Sequence, residues 1–371
     1  MKLMIYAVQF KGGSVQVIIA LLREFIKFTE HEYHVILSNE IKSQISKFTF
    51  PNNFHFYDLP VNAGFSLTNI HKRNIFFKNL EKKINPDCGL CSSGPLYHKT
   101  KFPLLVGYNL PHHIYRDSPY FNNITFSSKL RWFLRRNYHR FLYRNEATMC
   151  FVQTDDVNNR LKKFIKKENV VTISNTYNTA YNTPIKYPNR LPSRSKDEIR
   201  MLTIAAHYPH KNIDIIKSVI DELLNNNIYN YKFVVTLSNE NYNRIFGEEY
   251  NDYVYNVGFV PTIEGPSLYD ECDIMFLPTL LECFSASYAE AMVMKKPIIT
   301  SDLSFAHVVC KDAAIYFNPT DPIDIANKLI ELANNKSLQE TLIENGIKQL
   351  KQFGTSEDRA KEVLRICSEI I

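Results

Sequence analysis

The segment Glu282-Cys-Phe-Ser-Ala-Ser-Tyr-Ala-Glu290 places two carboxylates between the apolar runs Ile274–Pro278 and Pro297–Thr300. This pattern predicts strand, loop, helix and strand, with both carboxylates and a helix N-terminus at the carboxyl edge of a parallel sheet, where open α/β folds bind ligands. The N–H groups of a first helical turn favour a phosphate, and carboxylates accept hydrogen bonds from sugar hydroxyls. A ligand that carries both groups, such as a nucleotide sugar, fits this chemistry.

Glu290 has a purely structural alternative. Ser287-Tyr-Ala-Glu290 fits a capping box, in which the serine caps the helix and the glutamate folds back to the serine amide. The second acid, Glu282, and the next predicted strand end beside it favour a functional role, because a capping box needs neither.

Three further groups follow predicted strands and so belong at a sheet edge. Gly12-Gly13 is a tight turn after the strand Lys2–Gln9, His112-His113 follows Leu104–Tyr108, and His207 and Lys211 follow Ile199–Ala205. The sequence contains no G-x-G-x-x-G, which argues against a dinucleotide cofactor, and no Asp-x-Asp, which argues against a metal-dependent sugar transferase. We expect neither a cofactor nor a metal ion.

The pattern Glu282-x-Phe284-x4-Ala289-Glu290-Ala291-Met292-x4-Pro297-Ile298-Ile299, continued through Tyr316-Phe317-x-Pro319-x-Asp321, is similar to the glutamate-x7-glutamate region of glycosyltransferase family 4. The similarity is strong over 199–333 and weaker but collinear before it. It implies a GT-B fold, in which two Rossmann-like domains face each other across a cleft. It also implies sugar transfer with retention of anomeric configuration.

The resemblance assigns roles position by position. Glu290 would bind the ribose hydroxyls of the donor and Glu282 the donor sugar, while the amides of Phe284, Ser285 and Ala286 would face the diphosphate or the sugar. Lys211 matches a lysine that neutralises the donor phosphates. The family's arginine is missing here, and His207 is the nearest substitute, while Ser285 stands where glycine is usual.

In the amino-terminal half the resemblance gives Gly12 and Gly13 a contact with the donor phosphate or the acceptor. It places a histidine near the reacting carbon, and we prefer His112 to His113. We therefore expect Lys211, Glu282 and His112 to carry catalysis.

The chain divides at a polar, proline-interrupted stretch between two alternations of strands and helices. We predict an acceptor-binding domain over 1–183, a linker over 184–199, a nucleotide-sugar domain over 200–352, and a final helix over 353–371 that packs back on the first domain.

Charge is uneven between the halves: residues 1–185 carry 25 Lys and Arg against 12 Asp and Glu, and residues 186–371 carry 19 against 26. The segment 129–144 is amphipathic, with Arg131, Arg135, Arg136, Arg140 and Arg144 largely off an apolar stripe of Leu130, Phe133, Leu134, Phe141 and Leu142. Its basic side predicts contact with anionic membrane or with the acceptor. The alternative is a domain helix whose apolar stripe faces the core.

The amino terminus has no secretory pattern, and no stretch reaches the roughly 20 apolar residues of a membrane span. Seven cysteines scattered through the chain are typical of reduced thiols. These features predict a cytoplasmic location, with peripheral contact at the inner face of the plasma membrane.

Together the patterns predict a glycosyltransferase that moves a sugar from a nucleoside diphosphate to a glycan or lipid-linked hydroxyl acceptor in O-antigen or capsule assembly, with no nucleic-acid partner. Two alternatives stay open. One is a nucleotide-sugar epimerase on the same fold, and the other is a non-catalytic scaffold that binds lipid or nucleic acid.

Overall fold

The computed structural model describes residues 1–9, 12–60, 66–122 and 124–371. By contacts the chain separates into two compact units. The N-terminal unit comprises Met1–Ile114, Phe126–Asn175 and Thr355–Ile371, and the C-terminal unit comprises Tyr115–Thr125 and Thr176–Gly354.

The N-terminal unit contains a seven-stranded sheet in which every pairing is parallel. Its strands are β1 (Lys2–Ala7), β2 (Glu32–Leu37), β3 (Phe54–Asp58), β4 (Cys88–Cys91), β5 (Leu104–Gly107), β6 (Met149–Val152) and β7 (Val170–Thr172). The connecting helices are α1 (Gly13–Phe25), α2 (Asn39–Ile45), α3 (Leu67–Ile84), α4 (Phe126–Glu146) and α5 (Asp155–Ile165). The strand order is β3-β2-β1-β4-β5-β6-β7, so the winding reverses between β1 and β4.

The C-terminal unit contains a six-stranded sheet, again parallel throughout. Its strands are β8 (Ile199–Thr203), β9 (Tyr231–Val235), β10 (Val254–Asn256), β11 (Ile274–Leu277), β12 (Ile298–Ser301) and β13 (Ala314–Phe317). Its helices are α6 (Ile215–Asn225), α7 (Asn239–Ile245), α8 (Gly265–Asp270), α9 (Ala286–Val293), α10 (Ser304–Cys310), α11 (Pro322–Asn334) and α12 (Lys336–Leu350). The order β10-β9-β8-β11-β12-β13 puts the reversal between β8 and β11.

The last helix, α13 (Ser356–Glu369), belongs to the N-terminal unit and packs against α1, β4 and β5. A capping box of Thr355 and Asp358 fixes its start. Its inner face adds five buried side chains to the core beneath β1 and β2: Ala360, Val363, Leu364, Ile366 and Cys367.

Short apolar runs form the central strands because both faces of a parallel sheet are covered by helices. β11 and β12 are buried at all four positions. The α/β class with two parallel sheets is therefore confirmed. All seven cysteines lie among the described residues, and each is buried and outside any disulfide bond. Among the described residues, no helix is both long and apolar enough to cross a membrane.

Candidate functional site

Lys211 and Glu282 meet at the winding reversal of the C-terminal sheet. Lys211 ends a short 3₁₀ turn after β8, Glu282 follows β11, and the two strands are neighbours. The Lys211 ammonium donates a hydrogen bond to Glu282 Oε1, and the two side chains are only 17% and 12% exposed. Two residues 71 positions apart in sequence thus form one partly desolvated ion pair at a ligand-binding edge.

Main-chain bonds hold the two loops together. The carbonyl of His210 accepts from the amide of Leu280 at 2.7 Å and from the hydroxyl of Thr279 at 3.1 Å. Thr279 also lies 3.3 Å from Glu282 Oε1. Burial lowers the pKa of His210 to about 4, and the charge of Lys211 adds to this shift. The turn that carries Lys211 is therefore held in place by these hydrogen bonds, and its His210 side chain is uncharged near pH 7.

Helix α9 begins without a side-chain cap. Ser285 is its N-cap residue, and no side chain bonds to the first amides. The capping box of Ser287 and Glu290 is not formed, because the helix begins one residue before Ser287 and Glu290 turns elsewhere. Unpaired N–H groups at a helix start attract an anion. The N-cap residue of α9 comes three positions after Glu282 and its first helical residue four positions after.

Ser285 has φ −96° and ψ 120°, which is ordinary extended backbone. The glycine that is usual at this position in the resembled family is therefore not needed for backbone conformation in this chain.

Glu290 is a buried carboxyl on the inner face of α9, 9% exposed. Burial raises its pKa to about 7, and a hydrogen bond with the hydroxyl of Tyr181 opposes that shift. Tyr181 comes from the 3₁₀ turn Thr179–Tyr181, just before the predicted linker, and a Cβ placed on Gly265 would lie 2.2 Å from its hydroxyl oxygen. Sequence reasoning missed Tyr181, since no spacing pattern connects it to Glu290.

His207 uses both ring nitrogens within the protein. Nε2 lies 3.0 Å from Asp214 Oδ2, and Nδ1 lies 3.0 Å from the guanidinium of Arg244. Arg244 lies on α7, after β9, and places a positive charge beside His207. His207 is the residue that the sequence offers in place of the arginine of the resembled family. Arg244 was also missed, because only the fold brings it to the β8 loop.

Gly12 and Gly13 form the start of α1 in the N-terminal unit. Gly12 is the N-cap residue with φ +74°, a conformation that disfavours other residues, and Gly13 is the first helical residue. A Cβ added at either glycine would meet no atom of the described residues within 4 Å, so these residues leave space for a close approach.

The two histidines after β5 differ in surroundings. His113 is 1% exposed, and its Nε2 lies 3.0 Å from Nδ1 of His139. Burial, together with neighbouring positive groups, lowers the pKa of His113 to about 2. His112 is partly exposed and stacks on Trp132, with ring centroids 4.4 Å apart. His112 is therefore the better placed of the pair for a ligand.

Helix α4 carries large apolar side chains on its outer face, contrary to a core-facing stripe. The exposed ones are Phe126, Leu130, Phe133, Leu134, Tyr138 and Phe141, of which Phe133, Leu134 and Phe141 are 57–60% exposed. The buried face is formed by His139, Leu142, Tyr143 and Glu146. Arg131 and Arg135 are exposed as well, while Arg136 and Arg140 are partly buried, Arg136 donating to the carbonyl of His113. We call the six exposed apolar side chains the α4 face.

In the described residues, one group of three side chains has metal-ligand spacing: Glu32, His34 and His55, with ligand atoms within 4.8 Å of one another. It lies toward the amino end of β2, away from the carboxyl edge.

The fold is that of GT-B glycosyltransferases. The chain superposes on sucrose-phosphate synthase from Thermosynechococcus elongatus with a TM-score of 0.77, 13% identity, and coverage of 100% of this chain and 98% of the other. It superposes on HepE from Anabaena in complex with UDP-glucose with a TM-score of 0.72 and 13% identity over 100% of both chains. The predicted fold class is confirmed.

Residues 189–349 match the family described as Glycosyl transferases group 1. Two curated relatives are similar in part. The capsular polysaccharide biosynthesis glycosyltransferase CapM of Staphylococcus aureus is 30% identical over 137 residues, which are 35% of each chain. The O-antigen chain mannosyltransferase RfbU of Salmonella typhimurium is 26% identical over 201 residues, 51% of this chain and 53% of the relative. The predicted resemblance to glycosyltransferases is confirmed, and the matches span about half or less of the relatives' own lengths.

Proposed function

We propose that this chain transfers a sugar from a nucleoside diphosphate to a hydroxyl of a growing surface glycan, with retention of anomeric configuration. The observation that carries the proposal is the Lys211–Glu282 pair beside the uncapped start of α9, at the winding reversal of a sheet that lies within the glycosyltransferase match. A cation, free amides and carboxylates in one place suit a phosphate joined to a sugar.

In this proposal the donor diphosphate binds to Lys211 and accepts hydrogen bonds from the N–H groups of residues 284–286. Gly12 and Gly13 are further contacts to the phosphate or to the acceptor. The negative charge that develops on the leaving oxygen is thereby stabilised by protein groups, which lowers the barrier to departure. Arg244 adds positive charge near the β8 loop, beside His207.

The ribose hydroxyls bind Glu290, in exchange for its bond with Tyr181, and Glu282 accepts from hydroxyls of the donor sugar. The acceptor hydroxyl attacks the anomeric carbon from the face that the diphosphate leaves. The C–O bond to the phosphate breaks with its electron pair on the phosphate oxygen, and the acceptor proton passes to that oxygen. The products are the new glycoside and the nucleoside diphosphate, with His112 near the reacting carbon.

The acceptor is a surface glycan, a proposal supported by the capsular and O-antigen roles named for the two curated relatives. Work at the inner face of the plasma membrane fits the α4 face with its flanking arginines, since apolar side chains beside basic ones bind anionic membrane. A nucleotide-sugar donor is supported by the UDP-glucose complex of HepE.

The test is a donor screen. UDP-, GDP- and dTDP-sugars are compared by thermal shift, and the donor that stabilises the protein is then incubated with and without a glycan acceptor, in buffer and in chelator. We expect sugar transfer only when the acceptor is present, at a rate that the chelator does not change. NMR of the product should show that the anomeric configuration of the donor is retained.

Three results would overturn the proposal. An isomerised sugar from donor alone would indicate an epimerase. Loss of transfer in chelator would indicate a metal ion at the phosphates. Unchanged donor affinity in both Glu290→Ala and Lys211→Ala proteins would indicate a scaffold that binds elsewhere.

A further inference from the structure

A pocket of about 240 Å³ opens at the carboxyl edge of the N-terminal sheet. It lies where β1 and β4 end, at the winding reversal of this sheet, which is the place where such sheets bind ligands. The polar side chains that line it and matter here are those of Gln9, Arg73, Ser93, Asn109, Arg135 and His139.

The described residues that line this pocket include two arginines and no carboxylate. Burial lowers the pKa of the third basic group, His139, to about 4, so the imidazole is neutral near pH 7. The lining therefore carries the positive charge of two guanidinium groups, which favours an anionic ligand, while the buried Glu146 carboxyl interacts with Arg73 from outside the lining.

Two of the lining side chains are more than nine-tenths buried and incompletely bonded. Arg73 is 7% exposed and donates through Nη2 to the carbonyl of Leu96 at 3.0 Å, while its Nε has no partner among the described residues. Gln9 is 7% exposed, with its Nε2 3.4 Å from Ser92 Oγ and its Oε1 likewise unpaired. A buried polar group without a partner is costly, so a ligand oxygen at Arg73 and a ligand hydroxyl at Gln9 would relieve that cost.

Helix α4 joins this pocket to the α4 face. Arg135 and His139 line the pocket, whereas Leu134, Tyr138 and Phe141 on the same turns are exposed. Residues one position apart on a helix point in different directions, so the pocket rim and the apolar side chains share one short stretch of helix. A ligand with an anion in the pocket would therefore have an apolar chain close to the exposed side chains of α4.

We infer that the pocket binds the phosphate of a lipid-linked sugar acceptor, with Arg73 and Arg135 on the phosphate oxygens and Gln9 on a sugar hydroxyl. This inference rests on the proposed function and names its acceptor class. Guanidinium groups suit phosphate because their N–H groups match its oxygens in pairs.

The only tryptophan of the chain, Trp132, reports on this place, because the Arg135 guanidinium lies 5.4 Å from the centre of its ring. The experiment titrates Trp132 fluorescence, with calorimetry as a second measurement, using farnesyl diphosphate, farnesol and glucose 1-phosphate. We expect farnesyl diphosphate to bind at least tenfold more tightly than either of the others.

Arg135→Gln and Arg73→Lys should each weaken the binding of farnesyl diphosphate at least tenfold. Arg73→Lys should do so because lysine keeps the positive charge but lacks the planar, two-pronged guanidinium group. Arg144→Gln removes the same charge from an exposed site on α4 that does not line the pocket, and should bind as the wild type does. Thermal melts check that each variant is folded.

Equal binding of farnesol and farnesyl diphosphate, or unchanged binding in both arginine variants, would overturn the phosphate assignment. Glucose 1-phosphate binding as tightly as farnesyl diphosphate would point to a free sugar phosphate and overturn the lipid assignment. Nucleotide binding is measured separately by thermal shift, so a protein that binds no nucleoside diphosphate refutes the proposed function without deciding this one.

Discussion

The Lys211–Glu282 pair is largely shielded from solvent, and a donor phosphate would compete with Glu282 for the Lys211 ammonium. Removing one partner of such a pair destabilises the protein, because the remaining charge is left poorly solvated and without a counter-charge. The pair therefore stabilises the ligand-free site and also limits its positive charge.

A double-mutant cycle tests this coupling. Lys211→Met and Glu282→Gln should each destabilise the protein, and the double variant should lose less than their sum, with a coupling of about 1–3 kcal/mol in denaturant unfolding. Lys217→Met serves as the control, because its pair with Glu249 is 36% and 70% exposed and such pairs contribute about 0–1 kcal/mol. Additive losses at Lys211 and Glu282 would mean that the two charges act independently.

Glu290 gives the fold a pH dependence. Its pKa is about 7 in the folded protein against an ordinary 4.5, so between these values the folded state holds a proton that the unfolded state lacks. Stability therefore falls as pH rises through this range, by on the order of 3 kcal/mol if the whole shift is realised.

Glu290→Gln should remove this loss. The thermal midpoint of the variant, relative to the wild type, should be higher at pH 8 than at pH 5. Glu146, whose pKa burial also raises to about 7, is present in both proteins and cancels in the comparison. The same difference at both pH values would show that Glu290 is ionised without penalty.

Pattern located Lys211, Glu282 and Glu290 because each follows a strand or occupies a spaced motif. Tyr181, Arg244 and Arg73 had no such signal. Each reaches its site through tertiary packing from a segment that is distant in sequence, and a single sequence does not display that packing.

At the scale of elements, apolar runs predicted most of the central strands. β3 was not predicted, since it is an edge strand with mostly exposed side chains. Helix α4 was predicted within three residues of its ends, but periodicity alone does not say which side a helix buries. The core takes His139, Leu142, Tyr143 and Glu146, and most of the longer apolar stripe is left outside.

The α4 face should hold the protein on anionic membrane. Phe133→Ser with Phe141→Ser should reduce sedimentation with anionic vesicles more than 100-fold, because each buried aromatic ring contributes about 1.5–3 kcal/mol. Tyr229→Ser removes a comparably exposed ring, 56% exposed in the C-terminal unit, and should have no effect.

Arg131→Gln should weaken only the part of binding that depends on anionic lipid, by roughly 1 kcal/mol. Wild-type protein that binds neutral and anionic vesicles equally would contradict a basic membrane surface.

At the scale of the whole molecule, α13 comes last in the chain and completes the N-terminal unit. Leu364 is 4% exposed within that core, so Leu364→Ala should cost about 2–5 kcal/mol and lower the calorimetric transition of this unit. A nucleotide should raise the other transition, because the Lys211 site belongs to the C-terminal unit.

Lys361→Ala changes an exposed residue of the same helix and should shift neither transition noticeably. A single transition that moves as a whole in every variant would show that the two units unfold together.

The interleaved segments also set an order of events during translation. Thr176–Gly354 leave the ribosome before Thr355–Ile371. All strands of the C-terminal sheet are therefore synthesised while the N-terminal sheet still lacks α13. Until Thr355–Ile371 are released, apolar side chains of α1, β4 and β5 that α13 would cover are exposed to water on the nascent chain, and a chaperone has most to bind during that interval.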